Sequence, residues 1–118
     1  MAIKQWIASE TGSIAEQRAK EHLIAQGLEF VAQNFRVKSG EIDLIFKDMQ
    51  QWVFVEVKYR ASDSHGHAAE MFTPSKRRKL ERAIMCYLHG LDLNCHHTSM
   101  RIDLVAIDGD AINWIKNV

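Results

Sequence analysis

The sequence predicts an α/β domain, ordered helix, three strands, helix, two strands (α-β-β-β-α-β-β), with a central mixed sheet of about five strands flanked by the helices. Three observations predict it. The stretch Gly40 to Arg60, GEIDLIFKDMQQWVFVEVKYR, is two alternating apolar runs around a short polar break, the pattern of an antiparallel hairpin. Apolar residues recur at three- and four-residue spacing over 11–26 and again after Pro74, the period of a helix buried on one side. The chain has 118 residues, 47% apolar and 25% charged, which suits one domain, 1–118, with a real core.

Taken in order, residues 1–10 are short and mixed, and read as a loosely held start or a first helical turn. The first helix runs from Thr11 to Gln26. Its stripe is Ala15, Ala19, His22, Leu23 and Gln26, and Gly27 is the stop. Leu28 to Val37 is a first strand anchored by Phe30, Phe35 and Val37. A turn centred between Met49 and Gln50 sets Phe46 opposite Val53, Leu44 opposite Val55 and Ile42 opposite Val57, so that face is core. Residues 60–73 lose all periodicity and read as an exposed loop. Thr73-Pro74 opens the second helix as N-cap and first helical residue. Leu80, Ala83, Ile84, Tyr87 and Leu88 form its stripe, and Gly90 ends it. After a loop over 91–99, Met100 to Ile107 is a strand, with Met100, Ile102 and Leu104 alternating against Arg101, Asp103 and Val105. Asp108-Gly109 turns it into a last strand, Ala111 to Ile115.

Composition narrows the function classes. Fifteen basic and fifteen acidic residues cancel, so attraction to nucleic acid must come from local clustering. The two cysteines, Cys86 and Cys95, make no disulfide framework and point to a cytoplasmic setting. The first twelve residues lack a signal-peptide core, and no apolar run approaches the about 20 residues that span a bilayer.

The same hairpin register exposes chemistry on its other face. Asp43 faces Glu56 and Glu41 faces Lys58, with opposed Cβ atoms about 4.5–5.5 Å apart. Two carboxylates opposed across a ladder repel, which makes sense when a cation sits between them. Hard carboxylate oxygens beside an ammonium suit Mg2+ or Mn2+, which polarises a phosphoryl oxygen and acidifies a water. Lys58 would orient that water or offset charge on the phosphate. Val57 would add its carbonyl as a ligand. Glu16, on the margin of the first helix's stripe, reads first as a solvated edge glutamate and otherwise as leaning over the sheet toward Asp43 and Glu56. The same spacing also fits a structural network in which Lys58 neutralises Glu41 and Glu56. A basic run, Lys76-Arg77-Arg78-Lys79 with Arg82, opens the second helix against the helix dipole. Lys76 and Arg77 flank the apolar stripe and are candidates for a phosphate backbone. Arg78, Lys79 and Arg82 read as a solvated face, and Arg36 and Lys38 as a strand end. His65, His67, Cys95, His96 and His97 match no closed four-ligand zinc pattern. Trp52 and Phe54 could stack on bases, but on a strand such side chains are more often core.

Asp43 followed by Glu56-x-Lys58 resembles the D…(D/E)xK signature of restriction-endonuclease-like nucleases. The wider text, Glu16, Asn34-x-Arg36, Gly40-Glu41-Ile42-Asp43-Leu44-Ile45, Val53-Phe54-Val55-Glu56-Val57-Lys58-x-Arg60, Lys76 and Arg101-x-Asp103, resembles the YraN family of small bacterial proteins over nearly the whole chain. That family is regarded as similar to archaeal Holliday junction resolvases. The resemblance implies a restriction-endonuclease-like core, Mg2+ or Mn2+ at Asp43 and Glu56, Lys58 at the attacking water, and Glu16 as a further acid. It also implies DNA, including branched DNA, as partner through Arg36, Arg60, Lys76 and Arg77, and a homodimer by analogy. Family members often carry a glycine just before that glutamate, where this chain has Ala15. Two other functions fit the text: a catalytically silent nucleic-acid-binding module, and a protein-interaction domain.

Overall fold

The computed structural model describes residues 2–61 and 66–118, and side chains from residue 12 onward within that range. Helix α1 spans Ala2–Ala25 and so begins well before the predicted start. Residues 2–10 hold no Gly or Pro and continue the helix readily. It ends where predicted: Gly27 takes φ +98°, and the Leu28 amide donates to the Leu23 carbonyl at 3.2 Å. Gln26, predicted on the buried stripe, is exposed.

Strands β1 (Glu29–Val37), β2 (Gly40–Asp48) and β3 (Gln51–Arg60) follow as an antiparallel meander. Helix α2 (Pro74–Gly90) crosses over to β4 (Met100–Asp108), which lies parallel to β3, and β5 (Ala111–Ile115) turns back antiparallel. The sheet order is β1-β2-β3-β4-β5, so β3 and β4 are the covered centre. The Thr73 hydroxyl caps α2 by accepting from the Lys76 amide at 3.3 Å. A short 3-10 turn, Ala68–Met71, interrupts the predicted loop, of which 62–65 lie outside the described residues.

Each helix covers one face of the sheet. Ala15, Ala19 and Leu23 of α1 pack on Leu44, Phe46, Val53 and Val55. Leu80, Ala83, Ile84 and Leu88 of α2 pack on Ile45, Phe54, Ile102 and also Ile42. The middle of β4 is therefore buried on both sides, and Asp103 is fully enclosed. It accepts from Arg101 Nε at 3.0 Å, Trp114 Nε1 at 2.9 Å and the Asn117 amide at 2.9 Å. Arg101 in turn donates to Asp48 at 3.1 Å and Gln51 at 2.9 Å, which ties the β2–β3 turn to β4.

The hairpin register holds from Asp48–Gln51 through Leu44–Val55 and then stops. Three predicted pairs, Asp43–Glu56, Ile42–Val57 and Glu41–Lys58, are not in the ladder. Instead the Val57 amide donates to Asp43 Oδ2 at 2.8 Å, so a side chain takes the place of a ladder carbonyl. On the other side of β2, Asn34 lies between the partners of Leu44 and Ile42 and takes φ +55°. Alternation breaks there, and Ile42, predicted to share a face with Leu44 and Phe46, packs on the α2 face instead. The consequence is a hairpin that splays at its open end.

Gly40 explains how α2 closes on that end. A Cβ there would run into the Lys79 carbonyl, with the carbonyl carbon 2.9 Å away. Only a glycine lets the start of β2 approach the second turn of α2 so closely.

Candidate active site

The splayed ends of β2 and β3 hold Asp43, Glu56 and Lys58. Asp43 is 6% exposed. Lys58 Nζ lies 3.1 Å from Glu56 Oε1, and both side chains are largely buried. Burial is the main cause that lifts Asp43 to about 7, and the nearby Glu56 charge adds to it. The Val57 amide and Lys58 pull the other way without cancelling them. Burial also lifts Glu56, against the pull of Lys58 and a hydrogen bond with Asp43. The pair therefore retains a proton near neutrality that two exposed carboxylates would not.

The other acids sit around this pair. Glu16 is half-buried, held beside the sheet by its neighbours Ala15 and Ala19. Burial raises its pKa, then the charges of Asp43 and Glu41, with Arg36 opposing. Glu41 does not meet Lys58. It forms an ion pair with Arg36 Nε at 2.9 Å, because the splay carries it toward its β1 partner.

An open cleft of about 460 Å³ adjoins Glu56 and Lys58. Its walls are the β1–β2 turn with Lys38, the Arg36–Glu41 pair, and Lys76 and Lys79 of α2. Among the four cations expected to meet nucleic acid, Arg36 and Lys76 border it. Arg77 does not: its Nη1 donates to the Val118 carbonyl at 2.6 Å and its Nε is 3.9 Å from Glu81. Arg60 follows Lys58 on the same face of β3 but lies off the cleft, its Nε buried without a partner among the described residues. Lys38 and Lys79, expected to be solvated, are exposed and also line the cleft. The signal for Lys79 was its spacing, one helical turn after Lys76; Lys38 had none beyond its place in a turn.

Comparison with known proteins places this arrangement in a family. The uncharacterised protein family UPF0102 matches residues 15–107. The chain belongs to the UPF0102 family. A UPF0102 protein of Vibrio vulnificus is 50% identical over 108 residues, covering 90% of this chain and 88% of its own. One of Aliivibrio salmonicida is 49% identical over the same share of both chains. One of Colwellia psychrerythraea is 41% identical over 118 residues, covering 97% and 92%. The segment shared with UPF0102 runs from the buried stripe of α1 to the end of β4, and contains Glu16, Asp43, Glu56 and Lys58.

In this UPF0102 chain no group of three or more His, Cys, Asp and Glu converges among the described residues. His65 lies outside them. His67 sits 3.9 Å from Asp108, while Cys95 and His96 line a different groove. A closed zinc set is thus not assembled there. Glu56 at the cleft, with the Asp43 carboxyl buried next to it, offers the hard oxygen donors that suit an ion keeping several waters. Among the described residues no helix is long and apolar enough to cross a membrane.

The raised carboxyls set a pH dependence. A carboxyl whose pKa is raised by folding stabilises the fold fully below its unfolded pKa, and that stability drains away as pH rises through the folded value. For Asp43 the window runs from 3.8 to about 7. Without divalent ions, Tm should therefore rise as pH is lowered from 7.5 to 5, by a few °C, and Asp43→Asn should flatten that rise. Calorimetry across this range checks it, and a parent Tm that falls over it contradicts the assignment.

Proposed function

We propose that this UPF0102 protein is a divalent-metal-dependent phosphodiesterase, an endonuclease-type enzyme acting on DNA, including branched DNA. One observation carries the reading: Glu56 and Lys58, paired at 3.1 Å, line a basic cleft, and behind Glu56 lies a second buried carboxyl, Asp43, whose charge it opposes. Such carboxyls are costly for stability and are found where a site needs them.

Asp43 and Glu56 would hold Mg2+ or Mn2+, with the Val57 carbonyl as a further candidate. The ion supplies Lewis-acid polarisation of a phosphoryl oxygen and lowers the pKa of water. Lys58, held by Glu56, orients the attacking water and offsets the negative charge that grows on the phosphoryl oxygens. The water oxygen forms the new P–O bond as the water gives up a proton to bulk solvent, the ester P–O bond breaks, and the departing alkoxide takes a proton from solvent, so no net proton is consumed in forming the alcohol. Glu16 adds a negative field from α1, and Glu41 keeps Arg36 at the cleft rim. Arg36 and Lys76 lie where a DNA backbone would pass; Arg60 and Arg77 have a weaker claim because they border no part of the cleft. The cytoplasm is the setting such a substrate requires, and a homodimer would suit a symmetric branched junction.

The closed Lys58–Glu56 ion pair favours a second reading, a nucleic-acid-binding module in which the charges are structural. A cleavage assay separates the two. Labelled linear, flapped and four-way DNA would be incubated with the protein in Mg2+ or Mn2+, beside Glu56→Ala. The enzyme reading expects product with the parent and none with the variant. Binding without product in either metal would overturn it in favour of the module.

A further inference from the structure

Charge in the cleft does not balance. Arg36 is taken up by Glu41 at 2.9 Å, and Lys58 by Glu56 at 3.1 Å. Lys38, Lys76 and Lys79 line the same space, and none of them has an ion-pair or hydrogen-bonded side-chain partner among the described residues. All three are exposed, yet they come from two elements that the chain separates by more than thirty residues. Lys38 rides on the β1–β2 turn and Lys76 and Lys79 on successive turns of α2. Gly40 is what brings the two together, since its missing side chain lets β2 seat against the Lys79 carbonyl. No acidic residue occupies the first turn of α2 to neutralise the group. Like charges gathered on one wall cost stability unless an anion completes them.

We propose that Lys38, Lys76 and Lys79 form a phosphate-backbone subsite that holds the phosphodiesters next to the one presented to Glu56 and Lys58, on the same nucleic-acid strand. This rests on the phosphodiesterase reading for its geometry but not for its measurement. The cleft wall is shallow and charged rather than aromatic, so it follows the backbone and leaves the bases unread. Compact ammonium groups on flexible stems suit a strand whose phosphates shift, where a planar guanidinium would demand a fixed fork. The subsite would align the strand so that one phosphodiester reaches Lys58.

The test is binding in EDTA, where no cleavage takes place. Fluorescence anisotropy of a labelled single strand would be followed across salt for the parent and for K38Q/K76Q/K79Q. A control with the same charge change, K47Q/R78Q/K116Q, places its substitutions away from the cleft. Each lysine that neutralises a single-strand phosphate contributes about 0.7 to the log–log salt slope. The cleft triple is expected to flatten that slope by about 2 and the control to leave it at the parent value. Equal slopes for parent and cleft triple, or equal losses in both triples, would overturn the subsite. Competition by a mononucleotide at the concentration of competing strand phosphates would also overturn it, since the site would then take small phosphates. Circular dichroism checks that both triples fold. Lysine-dependent binding by a parent that never cleaves would sink the enzyme and leave the subsite standing.

Discussion

Replacing Lys58 by alanine is expected to lower cleavage by about 10²–10³-fold while the domain stays folded. The side chain is 16% exposed and its ammonium sits 3.1 Å from Glu56. On the proposed phosphodiesterase reading, its loss would remove the positive charge nearest the attacked phosphate and leave the Asp43 and Glu56 oxygens in place. The defect should therefore appear in the single-turnover rate at saturating metal, with the metal concentration for half-maximal rate little changed. Lys58→Arg is not expected to rescue, because a planar guanidinium cannot occupy the point position of an ammonium. Single-turnover rates beside thermal melts decide the matter. A variant that cleaves like the parent would remove Lys58 from the chemistry, and a melt shifted as far as the rate would assign it to the fold.

The largest expected effect on stability lies elsewhere, at Asp103. This carboxylate is fully enclosed in β4 and takes hydrogen bonds from Arg101, Trp114 and the Asn117 amide. Asp103→Ala strands a nearly buried guanidinium and leaves two further donors without an acceptor, at a cost of about 3–5 kcal/mol. That is a large share of the stability of a domain this size. Arg101 would keep Asp48 and Gln51, so the loss should stop short of breaking the β2–β3 turn. Asp103→Asn keeps one acceptor and should lose less than alanine. Urea titration measures both, and a loss under about 1 kcal/mol for alanine would show that water replaces the carboxylate. The Arg101-x-Asp103 pattern, noticed in the sequence beside the candidate site residues, thus contributes to the sheet rather than to the cleft.

Helix and strand positions were legible because their signals are local. Thr73-Pro74, Gly27, the Met49-Gln50 turn and Asp108-Gly109 each act within a few residues, and each marks an element boundary in the structure. The same alternation led to Asp43, Glu56 and Lys58, and the structure does bring Asp43 near Glu56 and Glu56 onto Lys58, but through side chains and not through ladder pairs. What misled was extending that ladder past Leu44. The Asp43 side chain takes the Val57 amide, and Asn34 on β1 turns to positive φ, so Glu41 parts from Lys58 and Ile42 changes faces. A side chain that replaces a main-chain partner leaves no mark on hydrophobic periodicity.

The sequence by itself determined the order of elements, the hairpin register as far as Leu44–Val55, and the candidate trio of Asp43, Glu56 and Lys58. Tertiary structure alone decided which cations meet that trio. Lys38 and Lys79 line the cleft and Arg77 does not, because Gly40 lets α2 seat on β2 in one particular orientation. Helical angle tells which residues share a face, but the direction of that face depends on the close approach of two backbones far apart in the chain. Burial of Asp43 and Glu56 was decided in the same way, since two helices must cover both faces of the sheet before a carboxylate between them loses its water.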